Sequence, residues 1–217
     1  METPKWNTKL LSARNVYEPA EDTFLLLDAL ENDIENLMKI NPHIILEIGP
    51  GSGIIIAALA SVLKSRVQCF AIDINPDACI VTRNTAELNN VTVNNTKKYV
   101  EVLNGNLLKA FQLRESIDVI IFNPPYVRTV NIETFVEGIS QSWAGGENGR
   151  KIIDDLLPVL SKAISLNGVF YLVAVSYNNI EDLFTQMKVF GFVGKILKSR
   201  QVPGELLYVL KFKKTTS

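Results

Sequence analysis

The run Ile117-Asp118-Val119-Ile120-Ile121-Phe122-Asn123-Pro124-Pro125-Tyr126 decides how the rest of the chain is read. Its first half is apolar and mostly β-branched, the composition of a strand buried on both faces of a sheet. Two prolines then stop the strand, each fixing one φ angle and removing one N–H donor. Asn123 therefore stands at the carboxyl end of a central strand, the rim at which open α/β sheets bind ligands. The turn is stiff and rich in acceptors. The side-chain carbonyl of Asn123 and the backbone carbonyl of Pro124 can each take one hydrogen from an NH2 group, and Tyr126 offers a ring face to a planar amide or base. Taken alone, such a run is more often a plain strand end, so its neighbours have to decide.

Upstream, His43 to Ile48 reads as a buried strand, Gly49-Pro50-Gly51-Ser52-Gly53 as a tight turn and Ile54 to Lys64 as a helix. A glycine turn between strand and helix lets a ligand approach the backbone at a helix N-terminus. Arg66 to Ile72 is the next strand and ends at Asp73, roughly twenty residues after the glycine turn, where a carboxylate can hydrogen-bond both ribose hydroxyls of an adenosine cofactor. Pro76 to Asn89 reads as a helix, and Tyr99 to Leu103 as a third strand followed by Gly105-Asn106-Leu107.

Downstream, Val127 to Asn148 is a long loop of the kind that forms lids or substrate rims. Arg150 to Ser165 reads as a helix, Gly168 to Val175 as a strand and Asn179 to Phe190 as a helix. Phe192 to Lys198 and Glu205 to Phe212 form an antiparallel pair around Pro203-Gly204. Before the first strand, Tyr17-Glu18-Pro19-Ala20-Glu21-Asp22-Thr23 leads into a helix from Phe24 to about Met38 with an acidic start. The alternation predicts an α/β fold: a doubly wound sheet with an antiparallel last strand. Residues 17–217 are expected to form one domain, and residues 1–16, which carry little pattern, a mobile arm.

Bulk properties narrow the function. A chain of 217 residues, 47% hydrophobic, builds one sizeable core. Its net charge of -1 gives no basic surface for nucleic acid. Cys69 and Cys79 lack metal-ligand spacing, and the single histidine, His43, argues against a zinc site or a Ser-His-Asp triad, so no metal is expected. Without an apolar run of spanning length the chain is expected in the cytoplasm, and also in the nucleus.

Two cofactor classes use this architecture. A dinucleotide fingerprint wants glycine where Ile54 stands, whereas Glu47-Ile48-Gly49-Pro50-Gly51-Ser52-Gly53 resembles the first motif of class I S-adenosylmethionine-dependent methyltransferases. In that family the acidic residue receives the charged amino group of the methionine moiety. The resemblance is closer still. Tyr17 to Thr23, the Asn123 to Tyr126 run, and Trp143-Ala144-Gly145-Gly146 with Asn148-Gly149-Arg150 resemble the HemK-type protein glutamine methyltransferases, in their short eukaryotic and archaeal branch.

The resemblance implies N5-methylation of the glutamine in the Gly-Gly-Gln motif of a class I release factor. It also implies that Thr23, Glu47, Gly49, Gly51, Asp73, Asn106, Leu107 and Asn123 contact the cofactor. Asn123, Pro124, Pro125, Tyr126 and Val127 would hold the substrate amide, with Asn123, Pro124 and Tyr126 catalytic. One departure stands out: the family commonly has Asp at position 106, and Asn106 keeps an acceptor without the charge. A small zinc-binding activator subunit is the implied partner, paired with the third strand as a sheet edge. The rival readings are a nucleic-acid amino-methyltransferase, a histone lysine methyltransferase, a nicotinamide-dependent oxidoreductase and a catalytically dead scaffold.

Overall fold

A computed structural model describes residues 1–63, 67–91, 100–109, 111, 114–125 and 149–215. In chain order these residues form α1 (Thr8–Ala13), α2 (Glu21–Ile40), β1 (Ile44–Ile48), α3 (Ile54–Leu63), β2 (Gln68–Asp73), α4 (Pro76–Leu88), β3 (Val100–Asn104), β4 (Ile117–Phe122), α5 (Lys151–Ala163), β5 (Ile164–Val175), α6 (Ile180–Val189), β6 (Phe192–Val202) and β7 (Glu205–Lys214). The strands make one sheet in the order β3-β2-β1-β4-β5-β7-β6. The first five strands are parallel, and β7 runs antiparallel between β5 and β6. The expected doubly wound sheet with an antiparallel last strand is therefore the one formed.

Alternation along the strands explains how this sheet is covered. Ile45, Val119, Ile121, Val169 and Val173 point to one face and are buried by α2 and α3, with Leu25, Leu30 and Ile56 fully or almost fully enclosed. Leu46, Ile120, Phe122, Phe170 and Leu172 point to the other face, against Leu156 and Leu160 of α5 and Leu183 of α6. A strand with both faces buried has a fixed register, since a slip of one residue would exchange them. The register of β4, Ile45 opposite Val119 and Ile48 opposite Phe122, thus fixes where Asn123 leaves the sheet.

One buried polar network ties α2 to the sheet. Tyr171 Oη donates to Asp33 Oδ2 at 2.7 Å, Asn36 Nδ2 donates to Asp33 Oδ1 at 2.8 Å, and Lys211 Nζ pairs with the same carboxylate. Burial pushes the Asp33 carboxyl up, but the bonds from Lys211, Tyr171 and Asn36 outweigh it and hold the group below its ordinary value.

The structure corrects three expectations. Residues 1–16 are a packed element: α1 buries Leu11 completely, Leu11 and Val16 lie against Ala78 and Val81 of α4, and Lys5 exchanges hydrogen bonds of 2.9 and 2.7 Å with the Asn89 side chain. The helix expected to reach Ser165 ends at Ala163, because Ile164 pairs with Ile117 and Ser165 Oγ donates to Asp118 Oδ1 at 2.6 Å. The first strand of the C-terminal hairpin continues past Lys198 to Val202, through a register shift between Ile196 and Lys198. Tyr99 and the expected loop 127–148 lie outside the described residues.

Candidate active site at the carboxyl rim of the sheet

The ends of β1, β2, β3 and β4 carry the residues that the sequence singles out. After β1 the chain turns through Gly49, Gly51 and Gly53, all with positive φ, and enters α3. Gly53 has no alternative: at φ +77° an added Cβ would lie 2.8 Å from Thr82 Cα. Around Gly51 there is open space. Helix α4 clamps the turn, with Thr82 Oγ1 donating to Gly51 O at 3.2 Å and Thr85 Oγ1 to Ser52 O at 2.7 Å. Neither threonine is distinguished in the sequence, where both read as ordinary helix positions.

Two acids stand beside this turn. Glu47, near the end of β1, is 3% exposed, and its Oε2 accepts from Ile56 N at 2.9 Å in the first turn of α3. Burial pushes its carboxyl from 4.5 up to about 8, against the pull of the Ile56 N–H; the nearby Asp73 adds to the rise. Among the described residues it forms no ion pair. Asp73 ends β2, where Oδ1 accepts from Asn75 N at 2.9 Å and Oδ2 from Gly51 N at 3.3 Å. Burial raises its carboxyl as well, opposed by those N–H groups.

Gly105 N donates to Asp73 O at 2.9 Å and seats the turn after β3 against the end of β2. Asn106 is exposed there, and Leu107 takes a left-handed φ of 49°. Glycine turn, Asp73 and the pair Asn106-Leu107 are thus brought to one end of the sheet, the rim at which open α/β sheets bind ligands. Thr23 is farther up the chain, buried at the start of α2.

Asn123 follows β4 directly. Its Nδ2 donates to Asp22 Oδ2 at 3.1 Å, and its Oδ1 is fully buried with no hydrogen-bond partner among the described residues. An acceptor left in that state costs about 1–3 kcal/mol, and a fold retains such a cost where a ligand completes the bond. Pro124 is buried and Pro125 half-buried. Tyr126 and Val127 lie outside the described residues. Asp22 is the residue that sequence reasoning missed; it sits inside the Tyr17 to Thr23 run but reads there as the acid of a helix start.

Arg150 is 8% exposed and donates to Asn178 O at 3.1 Å, Asp182 Oδ2 at 2.6 Å and Asp154 Oδ1 at 2.8 Å. It pins the start of α5 to α6 at the base of the segment that follows the site.

Comparison with known proteins agrees with this geometry. Residues 17–141 match the methyltransferase small domain family. Methyltransferase HEMK2 of Mus musculus is 43% identical over 202 residues, spanning 93% of this chain and 91% of the relative. The eRF1 methyltransferase catalytic subunit mtq2 of Schizosaccharomyces pombe is 34% identical over 210 residues, spanning 94% and 91%. A solved structure of the E. cuniculi Mtq2-Trm112 complex, responsible for methylation of the eRF1 translation termination factor, superposes with a TM-score of 0.69 at 27% identity, over 93% of this chain and 99% of that one. By sheet order, rim and likeness alike, the chain has the class I S-adenosylmethionine-dependent methyltransferase fold and belongs to the methyltransferase small domain family, in the HemK-type branch with HEMK2 and Mtq2.

Proposed function

We propose that the chain methylates the side-chain amide nitrogen of the glutamine in the Gly-Gly-Gln motif of a class I release factor, using S-adenosylmethionine, as the catalytic subunit of a heterodimer in the cytoplasm. The observation that carries this reading is the buried Oδ1 of Asn123, which has no hydrogen-bond partner among the described residues. It is an acceptor waiting for a donor at the rim of the sheet, and an amide NH2 is a donor of the right kind. The Mtq2 relatives, which act on eRF1, supply the substrate class.

The residues present fit the cofactor. Glu47 is a buried acid with no ion pair among the described residues, suited to an ammonium group, and Asp73 is an acid at the second strand tip, suited to ribose hydroxyls. Gly49 and Gly51 would let the backbone approach it, with Asn106, Leu107, Thr23 and Asn123 completing its contacts. When bound, S-adenosylmethionine supplies a methyl group already activated as a sulfonium.

What remains for the protein is to make a poor nucleophile usable. A glutamine nitrogen shares its lone pair with the carbonyl, so Asn123 Oδ1 and Pro124 O would each take one N–H and turn the lone pair toward the methyl carbon. Tyr126 would stack on the amide plane, with Pro125 and Val127 alongside. The two acceptors also favour the partial positive charge that grows on nitrogen as the bond forms. The surplus proton leaves to water afterwards, so no strong base is needed.

The two strands that end the sheet order among the described residues differ in a way that supports the partner. β6 carries Lys195, Lys198 and Arg200 and is broken by its register shift, whereas β3 carries Glu101 as its only charged residue and pairs with β2 without interruption. Lysines and bulges blunt an edge, and β3 lacks both. The small zinc-binding activator subunit would extend the sheet there by β-augmentation. Equal solubility and activity of the chain alone would count against it.

The test is transfer of labelled methyl to a Gly-Gly-Gln release factor, its Gln→Ala variant and DNA, with and without the activator. Label on the wild-type factor alone, abolished by Asn123→Ala with cofactor affinity kept within a few-fold, is the expected result. Label on DNA, or on the Gln→Ala factor, would overturn the assignment.

A further inference from the structure

We infer that Asp22 is a positioning residue for the reaction: it fixes which way the Asn123 amide faces and so makes Oδ1, rather than the NH2 group, the atom presented to the substrate. The inference rests on the reading of Asn123 given above.

An asparagine amide is close to two-fold about its last torsion, and the two orientations place opposite chemistry at the same point in space. With the carbonyl outward, Asn123 accepts from a substrate NH2. With the NH2 outward, donor meets donor and the substrate nitrogen is pushed away. β4 and the Pro124-Pro125 turn fix where the side chain starts but say nothing about this choice.

Asp22 makes it. Its Oδ2 is 3.1 Å from Asn123 Nδ2, and a carboxylate offers only acceptors, so a flipped amide would set oxygen against oxygen. A charge-assisted hydrogen bond favours one orientation by about ten- to hundredfold. Asp22 is itself held in place. It is 4% exposed in the first turn of α2, and its Oδ1 accepts from Thr23 N at 2.6 Å, Thr23 Oγ1 at 3.2 Å and Tyr17 Oη at 3.3 Å. The helix start that carries the Thr23 N–H also favours negative charge. One carboxylate oxygen is thus spent on the helix and the other on Asn123. The pair joins residues 101 positions apart in the chain, and it gives the Tyr17 to Thr23 run a task at the strand tip.

The experiment uses the full chain co-produced with the activator subunit, with a Gly-Gly-Gln release factor as substrate and calorimetry for cofactor affinity. Asp22→Ala removes the preference and leaves the two amide orientations about equally populated, so kcat is expected to fall about twofold or more while KM and cofactor affinity stay within about threefold. Asn123→Asp sets two carboxylates against each other and is expected to lose more than a hundredfold. Adding Asp22→Asn to it reverses the polarity of the pair: the new amide at position 22 donates, and the second oxygen at position 123 stays free to accept. That double variant should recover at least tenfold over Asn123→Asp. A residue that merely supported the fold would make the double variant no better than the single one.

Asp22→Ala with kcat equal to that of wild type overturns the inference, as does a double variant that recovers nothing. If Asp22→Ala fails to bind cofactor because it fails to fold, the polarity-reversed pair decides. The underlying reading fails separately: it falls if wild type leaves the glutamine unlabelled or if Asn123→Ala labels normally. An inactive Asn123→Ala beside a fully active Asp22→Ala sinks the role of Asp22 alone.

Discussion

Replacing Glu47 with glutamine should stabilise the cofactor-free protein while weakening its hold on S-adenosylmethionine. The magnitude follows from the site. In the unfolded chain the carboxyl loses its proton near 4.5; in the fold, burial beside β1 and α3 keeps the proton on up to about 8. Between these values the folded state binds more protons than the unfolded one, so stability falls as pH rises, by about 1.4 kcal/mol per pH unit. The contribution is fully present below pH 4.5 and lost as pH climbs through 8, a total of about 5 kcal/mol; near pH 7 the ionisable residue costs about 3 kcal/mol relative to a neutral one. Glutamine keeps an acceptor for Ile56 N and removes the ionisation.

Urea unfolding of both proteins without cofactor, from pH 5 to 8.5, measures this. Asp73 and Glu205, whose carboxyls are also raised by burial, bend both curves in the same direction, and the difference between the proteins removes them. The expected difference grows across the window in favour of Glu47→Gln. Binding gives an independent reading: if the ligand ammonium pairs with Glu47, calorimetry in buffers of different ionisation heat should show release of protons at pH 7, at most one per site. Coincident urea midpoints at pH 5 and pH 8, together with no proton release, would refute the reasoning.

Gly53→Ala forces an L side chain into a left-handed turn against Thr82, and its stability in urea unfolding should drop by more than about 1 kcal/mol. In the buried network, Tyr171→Phe removes one bond to Asp33 and should cost about 1–2 kcal/mol, whereas Lys211→Met strands the carboxylate and should cost about 3–5 kcal/mol. The reverse order in chemical denaturation would mean that Lys211 is not the partner that matters. Because Asp33 is held below its ordinary value, its contribution is present above pH 3.8 and lost as pH falls through the lowered value, so Lys211→Met should also flatten the acid limb of the stability profile.

Much of this fold is legible because its strands are near-continuous apolar runs ended by glycine or proline. β4 could be bounded to the residue, Ile117–Phe122, for that reason. The ends that went astray lack such punctuation. Ile164-Ser165 continue the apolar phase of α5, and only their pairing with β4 turns them into strand. In the first sixteen residues Trp6, Leu11 and Val16 recur every five positions, a spacing that matches neither helix nor strand, so nothing local announces that they will pack against α4. The places of Asp73 and Asn123 at the ends of β2 and β4 were legible from the apolar runs that stop there. The contact of Asp22 with Asn123 was not, since an acid in a first helical turn looks the same whether it serves the helix or a side chain 101 residues away in the chain.

The placement of β7 bears on how the chain folds. β6 precedes β7 in the chain, yet among the described residues its sheet neighbour is β7 alone, and β7 lies between β6 and the edge of β5. The tight turn at Pro203-Gly204 makes the pairing of β6 with β7 local, so the two strands can zip as a hairpin before β7 docks on β5. Until it docks, β5 carries an open edge on the central sheet, and that is when the folding chain is most exposed to edge-to-edge association.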